Sequence, residues 1–227
     1  GEEANRYLTL SRSAALSRSL AMFFKFHLNS ILAKKDKSLA YYELSGEDIK
    51  KEEGRKVHII YSGGDDLFLV GAWGDVLSAG IDIYKDFQKY TQGMLSLSAG
   101  FGIYGESVPL LRLAKDTGQL EEQAKSLPGK NAIALFTADD EAYTWQEFTE
   151  DIIEKKLRFL QKHLQNGEEN ATFIYALVQL LKDDAQINIA KIAYTLGRSQ
   201  PDEKADDVVK AKYYEYMSTI YGWADDK

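Results

Sequence analysis

The feature that most restricts the fold is a pair of short apolar runs separated by two glycines and two acids. Val57-His58-Ile59-Ile60-Tyr61 and Leu67-Phe68-Leu69-Val70 are rich in β-branched and aromatic residues, and Ser62-Gly63-Gly64-Asp65-Asp66 lies between them. Glycine takes positive φ at little steric cost, so this spacing predicts a tight β-hairpin turning on Gly63-Gly64. Both runs are apolar on successive residues rather than alternate ones. That pattern predicts helices over both faces of the hairpin.

The flanking sequence supplies helices. Leu16, Leu20, Phe23, Phe24, Ile31 and Leu32 belong to a three- and four-residue repeat that predicts one long helix over 5–33. After the hairpin, a helix is expected over 73–90 and a strand over 94–104. A further helix is capped by Ser107, carries Pro109 in its first turn and ends near Lys125; a short strand follows over 132–136. This is the element order of a ferredoxin-like palm without its first strand. The pattern then changes. Thr144-Trp145-Gln146-Glu147 is a capping box, and beyond it only helices are expected, near 145–165, 169–182, 185–198 and 202–222. The fold class is therefore α+β: a palm over 1–140, followed by an all-helical bundle over 141–227.

Composition narrows the function. Of 227 residues, 44% are hydrophobic and 28% charged, which is globular material and not a disordered chain. There is no cysteine, which excludes disulfides and thiolate metal sites and makes a cytoplasmic setting the expectation. No apolar run approaches the roughly 20 residues of a membrane span. The net charge of −7 comes from residues beyond 138. An acidic helical part does not follow a phosphate backbone by itself, so contact with protein, or a solvated face, is expected there. The chain opens on Gly1 rather than Met, as expected of either an added first residue or a cut inside a longer protein. It contains no GxxxxGK[ST] loop and no zinc-ligand spacing. Gly100-Phe101-Gly102-Ile103-Tyr104-Gly105 does not open a helix directly after a strand, so it is not a dinucleotide loop.

The chemistry is expected at Asp65 and Asp66. Two adjacent carboxylates at a glycine turn make a compact oxygen site, suited to Mg²⁺ or Mn²⁺ that also takes oxygens from water and substrate phosphates. Such ions assist nucleotidyl transfer at both the attacking and the leaving oxygen. Ser62, Gly63 and Gly64 would line the nucleotide, because a turn without side chains lets a triphosphate approach the backbone.

Tyr61 through Trp73, read as Tyr-Ser-Gly-Gly-Asp-Asp-Leu-Phe-Leu-Val-Gly-Ala-Trp, resembles the second palm domain of the large subunit of type III CRISPR effector complexes, especially the III-A form. The opening helix, with Leu10-Ser11-Arg12 and Phe23-Phe24-Lys25, agrees, as do Leu135-Phe136 and Thr144-Trp145-Gln146-Glu147-Phe148. The resemblance covers nearly the whole chain. It implies a subunit that joins ATP into cyclic oligoadenylate when target RNA is bound. The implied partners are a first palm, backbone and small helical subunits, guide RNA and target RNA. It also implies that this segment lacks the palm's first strand, the first palm and a His-Asp nuclease domain, and is inactive alone. None of His27, His58 and His163 is followed by Asp.

A more distant similarity is to diguanylate cyclases, in which a segment after the corresponding helix contacts phosphates. Here that segment is Ala124-Lys125-Ser126-Leu127-Pro128-Gly129-Lys130-Asn131, which makes Lys125 and Lys130 candidate ATP contacts. Two other functions stay open at this point: a non-catalytic assembly module of the same complex, and a diguanylate-cyclase-like nucleotide cyclase.

Overall fold

The computed structural model describes residues 10–33, 55–138, 141–160 and 206–225. The chain divides into two compact units, Gly1–Arg158 and Phe159–Lys227.

The first unit opens with α1 (Leu10–Met22), a π-helical stretch (Phe23–His27) and α2 (Leu28–Ala33). The expected single helix is thus widened in its middle. There the Leu28 N–H bonds the Phe23 carbonyl, one residue further back than in an α-helix. β1 (Val57–Gly63) and β2 (Asp66–Gly71) follow, then α3 (Trp73–Thr91), β3 (Ala99–Phe101), α4 (Leu110–Ser126), β4 (Ala132–Leu135) and β5 (Tyr143–Thr144). A helical segment starts at α5 (Trp145–Glu147) and continues in π-helical winding over Phe148–Leu157. Among the described residues the strands form two sheets. One is the antiparallel hairpin β1-β2; the other has the order β3-β4-β5, with β3 and β4 parallel and β4 and β5 antiparallel.

α3 organises the core because it buries two stripes. Leu77 and Ile81, one turn apart, pack with Phe101, Ile133, Trp145 and Phe148. Ala79, Ile83 and Phe87 pack on the other side with Phe23, Phe24 and Leu28, and the hairpin contributes Leu67 and Leu69 to that cluster. On the far side of the three-stranded sheet, Leu120 and Ala124 of α4 close over Ala132 and Ala134.

Three local expectations differ from the structure. Among the described residues, helices cover only one face of the hairpin. Ile60 and Tyr61 remain 46% and 54% exposed, because the described helices reach the sheet from the Leu67 and Leu69 side alone. The strand expected over 94–104 forms ladder bonds only at Ala99–Phe101. Before it, side chains replace a strand partner: Asn131 Oδ1 accepts from the Leu97 N–H and Trp145 Nε1 donates to the Leu97 carbonyl. Ser107 does not cap α4. Pro109 is the N-cap residue, and its carbonyl accepts from Arg112 and Leu113.

The capping box at Thr144 is present in both directions. The Glu147 N–H donates to Thr144 Oγ1, and the Thr144 N–H donates to the Glu147 carboxylate. In the second unit the described residues form α6 (Asp207–Asp225), and Phe159 meets Trp223 edge to face at 5.3 Å. The helices expected over 169–182 and 185–198 lie outside the described residues.

Candidate functional site

Gly63 pairs with Asp66 as the last rung of the hairpin ladder, which leaves Gly64 and Asp65 as the two turn residues. Gly64 has φ +66°, a conformation that costs an L side chain about 1–2 kcal/mol. At Gly63 the Tyr61 ring lies across the backbone, and a Cβ there would stand 2.7 Å from Tyr61 Oη, so that exposed ring would have to swing aside. Asp65 therefore sits in the turn and Asp66 opens β2, and both are exposed.

Ser62 fixes the hairpin to the first helical segment. Its hydroxyl donates to the Phe24 carbonyl at 3.2 Å, within the π-helical stretch. The widened winding and the hairpin position are thus linked through one side chain. In this arrangement the Ser62 hydroxyl serves the scaffold.

Asp65 and Asp66 lie at the border of a groove of about 530 Å³, with Tyr61 beside them and Gly102 and Glu121 among its other lining residues. Lys125 and Lys130 are not among the groove's lining residues. Lys125 Nζ is held at 2.9 Å from Glu121 and 3.2 Å from Glu122. The hydrogen bonds it donates to these two carboxylates push its pKa up, so it carries a charge already matched on its own helix. Lys130 stands in the turn between α4 and β4 at φ +54°, next to Asn131 at +57°.

The donor set can be tested against a metal. Among the described residues no group of three or more His, Asp or Glu side chains converges. Two exposed neighbouring carboxylates do not make an all-protein cage. They do fit a hard cation that completes its shell with phosphate oxygens and water, which is how Mg²⁺ is usually held beside a nucleotide. Asp65 and Asp66 are the residues that would hold it.

One residue that pattern reasoning passed over organises the scaffold behind the site. Arg55, with a fully buried side chain, donates to the Ile31 carbonyl at 2.8 Å and to Ser78 Oγ at 3.1 Å, and is ion-paired with Asp82. It joins the end of α2 to the middle of α3. A lone Arg in the charged run Lys50–Lys56 gives no periodic signal of burial.

Residues 2–134 match the family described as Cas10/Cmr2, second palm domain, and residues 146–227 match the CRISPR RNA silencing complex Cmr2 subunit, second helical domain. The chain is 37% identical over 223 residues to the CRISPR system single-strand-specific deoxyribonuclease Cas10/Csm1 (subtype III-A) of Enterococcus italicus, covering 98% of this chain and 25% of that protein. It is 38% identical over 228 residues to the protein of the same description from Mycobacterium tuberculosis, covering 99% and 27%. Among solved structures it is similar to Csm1 of T. onnurineus, with a TM-score of 0.48 and 21% identity over 88% of this chain and 34% of that one. The chain spans about a quarter of the length of the curated relatives it matches. With more than half its length matched by the second-palm family, and its remainder by the companion helical domain, the chain belongs to the Cas10/Cmr2 family.

Proposed function

We propose that this chain is the catalytic palm and helical part of a type III CRISPR effector large subunit that joins ATP into cyclic oligoadenylate in response to target RNA. The observation that carries this is the exposed Asp65-Asp66 pair on a tight turn that places Gly64 at positive φ. The turn presents two carboxylates and an unobstructed backbone at one point: no atom lies within 4 Å of where a Gly64 Cβ would be.

The reaction is a nucleotidyl transfer. The 3′-hydroxyl oxygen of one ATP forms a bond to the α-phosphorus of another, its proton passes to water, and the bond to the leaving pyrophosphate breaks. Bound Mg²⁺ or Mn²⁺ would supply charge neutralisation at the phosphates. Asp65 and Asp66 would hold that ion, and through it the triphosphate end; Gly64 lets the triphosphate reach the backbone, and at Gly63 the Tyr61 ring would first have to swing aside. Lys130 is a further candidate contact; Lys125 would first have to leave Glu121 and Glu122. Catalysis of this kind depends largely on positioning, so an acceptor surface opposite the hairpin is required. The exposed Ile60 and Tyr61 lie on the hairpin face that the described helices leave open. We assign that opposing surface to the first palm of the same large subunit. The expected partners are the other effector subunits, with guide and target RNA reached through the complex.

The test is synthesis by the intact effector complex carrying Asp65→Asn or Asp66→Asn. Each variant should lose cyclic oligoadenylate production by at least about a hundredfold, the scale of a removed electrostatic contributor, while complex composition and target RNA binding stay unchanged. Undiminished synthesis would refute the assignment.

A further inference from the structure

Two irregularities of the backbone meet at one hydrogen bond behind the acidic turn. The first is in the helix. In α-winding the Leu28 N–H would bond the Phe24 carbonyl. Here it bonds the Phe23 carbonyl, and the Phe24 carbonyl accepts from the Ser62 hydroxyl at 3.2 Å. Packing favours the wider turn. Phe23 and Leu28 are both buried in one cluster. In an α-helix, at about 100° per residue, two such residues would stand about 140° apart around the axis. The widened turn brings them to the same side.

The second irregularity is in β1. Ile59 pairs with Leu69 and Tyr61 pairs with Phe68, so Ile60 is an extra residue that bulges the strand. In a regular strand Ile59 and Ser62 would point to opposite faces, because successive side chains alternate. The bulge removes that opposition. Ser62 stands opposite Leu67 and shares the face that Leu67 and Leu69 turn towards the first helix and α3. Starting from the same Ile59 pairing, a regular strand would aim Ser62 away from Phe24. A regular helix would leave the Phe24 carbonyl serving Leu28. The bond therefore needs both departures, and it lies one residue before Gly63, which closes the ladder with Asp66. Leu67 and Leu69 hold β2 by apolar contact, which has no direction, whereas a hydrogen bond fixes both length and angle.

We propose that Ser62 is a positioning residue for the Asp65–Asp66 pair: by holding the carbonyl that the widened helix turn releases, its hydroxyl sets where the two carboxylates stand towards a divalent cation. This rests on the reading of that pair as the cation's holders. It also makes the winding of the first helix part of the site. A return to α-winding would give the Leu28 N–H back to Phe24, turn residues 10–22 by about 100° against the rest of the helix, and release Ser62 from its acceptor.

The experiment is a Mn²⁺ titration of the intact effector complex with ATP present, followed by electron paramagnetic resonance. The unchanged chain is compared with Ser62→Ala, Ser62→Thr and Asp65→Asn. Asp65→Asn identifies the Mn²⁺ held at the turn. Ser62→Ala should weaken that Mn²⁺ by about three- to tenfold, the range that one hydrogen bond supports. Ser62→Thr keeps the hydroxyl and should restore most of the affinity. Unchanged Mn²⁺ affinity in Ser62→Ala would overturn the proposal. So would a Ser62→Thr complex as weak as Ser62→Ala, which would make the loss one of packing and not of the hydroxyl. If Asp65→Asn removes no bound Mn²⁺, the reading of the acidic pair fails, and this proposal fails with it.

Discussion

The indole N–H of Trp145 donates to the backbone carbonyl of Leu97 at 2.8 Å, across 48 positions of sequence. The same Trp145 ring stacks on Tyr84 at 4.7 Å and 9°. Tyr84 in turn accepts from Asn131 Nδ2, while Asn131 Oδ1 accepts from the Leu97 N–H and from Gln88. Four side chains and one stretch of backbone thus close a network linking α3, the approach to β3, the start of β4 and the helix that begins at Trp145. The network holds Leu97–Ser98 against the groove, where a strand partner would otherwise be needed.

Asn131→Ala should destabilise the chain by about 1–3 kcal/mol, because it leaves the half-buried Leu97 N–H without its acceptor. Trp145→Phe should cost a similar amount through the Leu97 carbonyl. The double variant should cost less than the sum, since both act on one network. Urea denaturation of the three variants measures this; strict additivity would mean the contacts are independent.

Arg55→Ala should be among the most damaging single substitutions outside the hydrophobic clusters. It removes the cation beside Asp82 and the donor to the Ile31 carbonyl. Breaking a buried ion pair from one side costs about 3–5 kcal/mol, whereas replacing both partners with apolar residues of similar volume is far milder. Comparing Arg55→Ala with the double substitution Arg55→Met, Asp82→Leu by thermal unfolding checks both statements.

Gly64→Val should lower stability by about 1–2 kcal/mol through backbone conformation alone, because no neighbour lies within 4 Å of the added Cβ. Gly64→Asn should be milder, since Asn accepts positive φ more readily. Equal losses for the two would show that side-chain crowding, and not φ, sets the cost.

The capping box carries a pH dependence. Hydrogen bonds from the Thr144 hydroxyl, and then from its backbone N–H, hold the Glu147 carboxyl below its ordinary value of 4.5. A depressed carboxylate stabilises the fold fully above its ordinary pKa, and that contribution fades as pH falls through the lowered one. The difference in melting temperature between the unchanged chain and Glu147→Gln should therefore be present near pH 7 and shrink by about pH 3. A difference that stayed constant would place the effect elsewhere.

Local chemistry made much of this protein legible in sequence. Two β-branched runs around a glycine pair specify a hairpin, although the turn falls on Gly64-Asp65, one residue later than the expected Gly63-Gly64, with the positive φ at Gly64; Thr144 with Glu147 specifies a helix start because the capping bonds span three residues. The same local string carried the resemblance that the family comparison supports. What lay beyond the sequence were relationships between distant segments. The exposure of Ile60 and Tyr61 depends on which helices reach the hairpin, not on their own hydrophobicity. Arg55 is buried because Ile31, Ser78 and Asp82 converge on it from separate elements. Leu97 escapes the strand pattern because Asn131 and Trp145 arrive with side-chain partners for its backbone. The groove beside Asp65 and Asp66 exists only once α3 has carried the chain from one sheet to the other. Short-range hydrogen bonding and backbone sterics are written residue by residue, whereas burial and edge exposure are properties of the packed whole.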